Sequence, residues 1–195
     1  THRDSSAASD VYKRQVFVGV LMGILLQIVN AALIIGGQAV SASMGLSMAN
    51  MVDPSMGNVP VIAQFFVICS TLIFLGLGGH VLVISLLLES FELLPINSAL
   101  DLQGLLKLTI EWSAMMFLGA ILIGLPLMAS LLFINIGLGV ITRTAPALNI
   151  FAVGFPAMIL AGIVLLSLSM TSIGYRIQWL WQESFEIIGQ ALGIR

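Results

Sequence analysis

The sequence predicts an all-α, polytopic membrane protein of kinked hydrophobic helices and helical hairpins. Hydrophobic residues make up 59% of the 195 residues and charged residues only 8%, whereas a soluble domain carries about 25% charged residues. Mean hydropathy is +1.11. Several windows without any charged residue are longer than the ~20 residues that cross a bilayer as a helix. Because hydrocarbon offers backbone amides no hydrogen-bond partner, such windows are expected to be helical.

The N-terminal stretch THRDSSAASDVYKRQ differs from everything that follows. It is polar and charged, and hydrophobicity begins abruptly at Val16. A secretory signal peptide has a basic start, an apolar middle and a small-residue cleavage site, which is not the order found here. We therefore expect residues 1–15 to be a non-native or artefactual polar stretch. Residues 16–195 would then form the membrane domain of an N-terminally truncated fragment.

Four charge-free windows cover residues 16–52, 54–88, 112–142 and 144–175. The predicted helical segments or hairpins are centred near Leu26, Phe74, Ile121 and Leu160. Breaks are expected inside three of these windows. Pro126 and Pro156 would kink or split the third and fourth windows, because proline removes a helix hydrogen bond. Gly76, Gly78 and Gly79 could do the same in the second.

The first window ends in a ridge of small residues, Gly37, Ser41, Gly45 and Ala49, spaced by four. On one helix this spacing predicts a face that a neighbouring backbone can approach closely. Close packing inside a helical bundle is the simplest interpretation of the ridge.

A methionine stripe, Met44, Met48 and Met51, accompanies this ridge at helical spacing. Methionine is flexible and polarizable, so the stripe is consistent with a deformable seal in a pore or with adaptable filler in a core. Asp53-Pro54 and Gly57-Asn58 then predict an ordered loop between two hydrophobic segments.

Two later features are also interpretable. Arg143 is flanked by long uncharged segments, which favours a position at the membrane interface or beside a partner.

The tail carries an apolar stripe typical of an amphipathic helix, which would lie at a membrane interface or pack on a partner. The stripe comprises Ile177, Trp181, Phe185, Ile188 and Leu192, and Tyr175, Trp179 and Trp181 suit an interface.

Motifs for catalysis, cofactors or metals are not found in the sequence. It has no Gly-rich phosphate loop and no H-E-x-x-H pattern, and Cys69 is the only cysteine. His80 and Ser85 could pair only if folding brought them together. A net charge of -2 gives no indication of nucleic-acid binding. We therefore expect no enzyme activity and no cofactor.

An ordered set of motifs resembles the FliR/SctT family of type III export-gate subunits. The motifs are SMGLSMA (43–49), VDP (52–54), VPV (59–61), GH (79–80), LLLESFELLP (86–95), LP (125–126), NIGLGVI (135–141) and the run from Arg143 through Pro146, LNIF (148–151) and VGFP (153–156). The order holds from about Val16 to the end of the sequence.

The resemblance implies a non-enzymatic subunit of the flagellar type III export gate. Such subunits assemble with FliP and FliQ into a pore in the bacterial inner membrane, at the flagellar basal body. FlhB and FlhA are further partners, unfolded flagellar proteins are the exported substrates, and lipid surrounds the assembly.

The resemblance also implies roles for two sets of residues. A pore plug or gating loop would comprise Met44, Met48, Met51, Val52, Asp53, Pro54, Met56 and Gly57. An assembly set would comprise Gly37, Ser41, Gly45, Arg143, Pro146, Asn149, Phe155 and Pro156.

Two alternatives stay open. The injectisome counterpart, which serves virulence secretion, shares the fold, although the VDP loop and the LNIFAVGFP run resemble the flagellar branch more. A small-molecule transporter would need paired acids at mid-membrane or an inverted repeat, and the sequence has neither pattern.

Overall fold

The computed structural model describes residues 2–46, 61–93, 101–144 and 150–193, and within these ranges every regular element is a helix. The helices are α1 (His2–Ser43), α2 (Val61–Gly76), α3 (Gly79–Leu93), α4 (Leu102–Ser113), α5 (Met115–Thr144) and α6 (Ile150–Leu192). The predicted all-α fold is confirmed.

Within the described ranges, membrane-length apolar helices occur in three places, Gln15–Ser43, Leu102–Thr144 and Gly154–Leu192. The bent pair α2 and α3 provides a fourth if it counts as one span. These stretches agree with the four predicted windows, and they confirm a polytopic membrane architecture.

Helix α1 is central and packs on α2, α5 and α6. It runs parallel to α4 and α5, because Leu25 meets Trp112 of α4 and Ala32 meets Gly119 of α5. It runs antiparallel to α6, because Leu25 meets Ser184 whereas Met44 meets Gly162. The end of α1 and the start of α6 therefore lie together at one end of the bundle.

Among the described residues, two apolar clusters form the core. The first joins α1, α2, α5 and α6, and its buried members include Val29, Leu33, Phe66, Ile123, Leu131, Ile177 and Leu180. The second lies towards the N-terminal half of α1 and includes Val18, Leu21, Leu25, Trp112, Ile188 and Leu192.

The break in the second window lies at glycine, as predicted. Helix α2 ends at Gly76 and α3 begins at Gly79, with a bend of 66° between them. Gly78 has a φ of 72°, a left-handed conformation that glycine adopts without the steric cost a Cβ would bring. Neither Pro126 nor Pro156 splits its helix, since α5 and α6 continue through both.

Helix α1 ends earlier than the small-residue ridge requires. Ser43 is its last residue, and Gly45 has a φ of 79° with its N–H bonded to the Ala42 carbonyl at 3.0 Å. Gly45 is therefore a helix-ending glycine and not a member of a ridge on one helix face. The prediction of a ridge on one helix face is therefore wrong for Gly45, whereas Gly37 and Ser41 lie on α1 and Ala49 lies outside the described residues.

The apolar stripe of the tail packs inside this chain. It belongs to α6, which is continuous to Leu192, and Ile177, Trp181 and Ile188 are all buried. The suggestion that Trp181 lies at a membrane interface is wrong, because its indole is in the core. Tyr175 and Trp179 are exposed, as an interfacial position requires.

Candidate assembly surface and gating end

Buried polar side chains fix how the helices meet. The Leu25 carbonyl of α1 accepts hydrogen bonds from the Trp112 indole Nε1 at 3.2 Å and from the Ser184 hydroxyl at 3.4 Å. A helical carbonyl has a second lone pair beyond its intrahelical bond, which makes this sharing possible. The arrangement ties α4 and α6 to the same turn of α1.

A second polar contact ties α2 to α6. The Trp181 indole Nε1 donates to the Ser70 hydroxyl at 2.8 Å, and both groups are buried. The Phe74 ring lies against Trp181, with a centroid distance of 4.6 Å, and Phe185 completes the aromatic group. Neither polar contact was predicted, because a Trp–Ser pair 111 residues apart leaves no pattern in sequence.

Consecutive glycines let two neighbours approach α1. A Cβ at Gly36 would lie 3.1 Å from the Ala120 carbonyl oxygen of α5. A Cβ at Gly37 would lie 2.7 Å from the Ala63 nitrogen of α2. The predicted close approach at Gly37 is thus present, and sequence reasoning missed the equivalent part that Gly36 plays. Ser41 is half-buried.

The end of α1 docks on the first turns of α6. Met44 is 1% exposed, and its Sδ lies 2.8 Å from the position a Cβ at Gly162 would take. A Cβ at Gly45 would lie 3.5 Å from the Phe155 ring. Met44, expected in a gating loop, therefore has a core position, which favours the filler interpretation for this residue.

The other predicted gating residues lie outside the described residues. They are Met48, Met51, Val52, Asp53, Pro54, Met56 and Gly57. Pro146 and Asn149 of the predicted assembly set also lie outside them. Of the remaining set, Phe155 lies beside Gly45, Pro156 is exposed, and Arg143 is exposed in the last turn of α5.

The C-terminal half of α5 has an exposed apolar surface, here called the α5 surface. It consists of Leu132, Phe133, Ile136, Val140 and Ile141, of which the last three belong to the NIGLGVI motif. Phe133 is 76% exposed, and nothing lies within 4 Å of a Cβ at Gly137 or Gly139. At 3.6 residues per turn these positions cover a broad arc of the helix.

Helix α1 has a second open face. Val16, Val20 and Ile24 are exposed beside Gly19 and Gly23, and nothing lies within 4 Å of a Cβ at either glycine. An apolar groove of about 490 Å³ also opens between α1 and α5, lined by Ile35, Ala39, Phe117, Ile121, Leu125 and others.

The open surfaces of α1 and α5 are formed by large apolar side chains that this chain leaves exposed, such as Val20, Ile24 and Phe133. The helices accordingly leave apolar area that lipid or other subunits can cover.

The described residues hold no nucleophile–base pair. Ser85 donates its hydroxyl to the Leu82 carbonyl at 2.9 Å, and it has no hydrogen bond to His80. No group of three or more metal-binding side chains occurs in the ranges described. What this arrangement can do is bind other apolar surfaces.

Residues 6–184 match the family described as bacterial export proteins, family 1. The chain is 35% identical over 181 residues to the flagellar biosynthetic protein FliR of Escherichia coli (strain K12), covering 92% of this chain and 69% of the relative. It is 34% identical to FliR of Pectobacterium carotovorum subsp. carotovorum, with the same coverage of both chains, 92% and 69%.

A more distant relative is FliR of Aquifex aeolicus (strain VF5), 31% identical over 89% of this chain and 67% of the relative. The family match begins within residues 1–15. The expectation that those residues are non-native stays a prediction.

Proposed function

This chain belongs to the bacterial export proteins of family 1, and from that premise we propose that it is a pore-forming subunit of the flagellar protein export gate. Family membership makes it a FliR-type component of the flagellar export apparatus and not an enzyme, as predicted. The proposal adds assembly with FliP and FliQ in the bacterial inner membrane, at the basal body. FlhB and FlhA are proposed as further partners, and unfolded flagellar proteins as substrates.

The α5 surface is the observation that carries this proposal. Leu132, Phe133 and Ile141 are spread over about half of the circumference of α5, which is wide enough for a helix of another subunit to pack on. Large aromatic side chains such as Phe133 are typical anchors of protein interfaces. The surface also includes part of the motif by which the chain resembles its family.

The open face of α1 supports the same proposal. Small residues spaced by four allow close helix–helix contact in membranes, and Gly19 and Gly23 have no neighbour within this chain. A helix of a partner subunit would complete that packing.

Gating is proposed for residues 48–57. They follow the docked end of α1, where Met44 packs on Gly162 and Gly45 on Phe155. This docking supports a plug because a loop that closes a pore needs a rigid base. We propose that Met44 anchors that base and that Met48, Met51 and Met56 form the deformable seal of the pore.

The relatives described above are flagellar proteins, which favours the flagellar gate over the injectisome counterpart. Membership in a family of export proteins also disfavours the small-molecule transporter.

Secretion of a flagellar substrate tests the proposal. Cells that lack their own FliR would receive this chain, and export of hook protein into the medium would be measured. We expect Phe133→Ala with Ile136→Ala to reduce export at least tenfold, because interface anchors of this type contribute about 2 kcal/mol or more.

The matched control is Phe65→Ala with Ile68→Ala, which removes an exposed phenylalanine and isoleucine at the same spacing from α2 and should leave export within twofold of the unaltered chain. Equal export from the α5 variant and the control would contradict the assigned role of the α5 surface.

A further inference from the structure

We propose that the outer face of α3 is a docking site for an amphipathic helix of another export-gate subunit, one that carries a lysine or arginine along the edge of its apolar side. The face, here called the α3 stripe, consists of Val81, Ile84, Leu88 and Phe91. The inference rests on the proposed function, because the partner is another subunit of the gate. It gives a role to the LLLESFELLP motif (86–95), which contains Leu88 and Phe91.

Spacing is the first argument. The residues of the α3 stripe follow one another at intervals of three, four and three positions, which is the spacing of the apolar seam between two packed helices. Each is between 54% and 64% exposed, because α3 packs on α2 and α6 with its other side. The α3 stripe is therefore a helix-packing seam without a partner in the described part of the chain.

Carboxylates beside the α3 stripe are the second argument. Glu89 and Glu92 directly follow Leu88 and Phe91 and are exposed on the neighbouring side of the helix. Neither glutamate makes an ion pair with another described residue. Carboxylates at the depth of Leu88 and Phe91 would be costly in hydrocarbon, and a negatively charged membrane surface would repel them. A protein helix is therefore favoured over lipid as the cover of the α3 stripe.

The sign of this charge defines the chemistry of the partner. Glu89 and Glu186 of α6 line a groove of about 590 Å³ between the two helices, together with Leu82 and Phe185. A lysine or arginine can lay its methylene groups on Leu82 and Phe185 while its charged end meets the two carboxylates. Opposite charges along the edge of an apolar seam also set which helices pair.

Photo-crosslinking in the assembled gate provides the test. The full tagged chain would be produced with the gate subunits proposed above, with benzoylphenylalanine in place of Leu88 in one preparation and of Phe133 in another. Position 133 belongs to the α5 surface, so its adducts report whether the chain is inside the gate. Adducts would be identified by mass spectrometry after irradiation of the membranes. At position 88 we expect an apolar helix of another subunit, with a lysine or arginine within one turn of the crosslinked residue.

Charge reversal makes the test specific. Glu92→Lys should reduce the adduct at position 88 about fivefold or more, because attraction along the edge of the seam becomes repulsion. Exchange of the partner's cation for glutamate should restore the adduct. Glu111→Lys, which reverses an exposed carboxylate of α4, is the matched control and should change it less than twofold. An adduct at position 133 within twofold of the unaltered level would show that both variants fold and assemble.

Three results would overturn the proposal while an adduct at position 133 with another subunit upholds the proposed function. They are an adduct at position 88 with lipid alone, an adduct with a segment that has no cation within one turn, and equal effects of Glu92→Lys and Glu111→Lys. If neither position gave an adduct with another subunit, the proposed function would fail as well.

Discussion

At the residue scale, single glycines set the distances between helices. Gly37 lets the backbone of α2 reach α1 at Ala63, where no Cβ would fit without movement of the Ala63 backbone. Gly23, on the same helix, has nothing within 4 Å. The same residue type therefore has opposite packing roles at two positions of α1.

Gly37→Ala is predicted to lower the free energy of unfolding of the detergent-solubilised chain by about 1–3 kcal/mol, the range for overpacking a close contact. Gly23→Ala is the matched control and should be neutral or stabilising, since alanine favours a helix. Denaturation in mixed micelles, followed by circular dichroism, measures both. Similar losses in the two variants would argue against the close approach of α1 and α2.

The Trp181–Ser70 hydrogen bond gives a second residue-scale prediction. Ser70→Ala leaves the buried indole N–H without its partner at a cost of about 1–3 kcal/mol. Once Trp181→Phe has removed the donor, Ser70→Ala should cost much less. The double variant should therefore be more stable than the sum of the single effects by about 0.5–3 kcal/mol.

The control cycle pairs Ser70→Ala with Trp112→Phe, which belongs to the other apolar cluster and whose indole bonds to Leu25. These two changes should add within about 0.5 kcal/mol. Additivity in the Trp181 cycle as well would refute the hydrogen bond.

Trp181 shows how much of a side chain's environment can be predicted from the sequence. Its helical spacing with Ile177, Phe185 and Ile188 correctly indicated one apolar face. Whether that face meets lipid, a partner or its own chain depends on helices far away in sequence, in this case on Ser70 and Phe74 of α2.

At the element scale, the charge-free windows predicted the long helices because an uncharged stretch in hydrocarbon has to satisfy its own backbone. Their ends were harder to predict. Gly45 fits a small-residue ridge and a helix-ending glycine equally well in sequence, and only its φ of 79° decides between them. The gating loop beyond it stays a prediction from family resemblance.

The bend between α2 and α3 yields an element-scale prediction. Gly78→Ala forces a side chain into a left-handed conformation, which should cost about 1–2 kcal/mol. Gly76→Ala, two residues earlier with open space around it, should cost nothing. Thermal unfolding of both variants in detergent measures the difference, and a loss confined to Gly76→Ala would place the bend elsewhere.

At the scale of the whole molecule, the main feature is the exposed apolar surface, which lipid or other subunits have to cover. The open face of α1 precedes Leu25, which meets Trp112, whereas the α5 surface begins twenty residues after Trp112. The two surfaces are therefore roughly 30 Å apart along the bundle, and different parts of the neighbouring subunits would cover them. The amount of open surface could not be predicted from composition, because a lipid-facing residue and a subunit-facing residue are equally apolar. Family membership supplied the interpretation that the fold alone leaves open.

Co-purification tests the central claim most directly. The tagged chain would be produced with FliP and FliQ of the same genome. We predict a stable ternary complex that is lost on Phe133→Ala with Ile136→Ala. If the folded chain purified alone, with no affinity for FliP or FliQ, it would not be a subunit of the export gate.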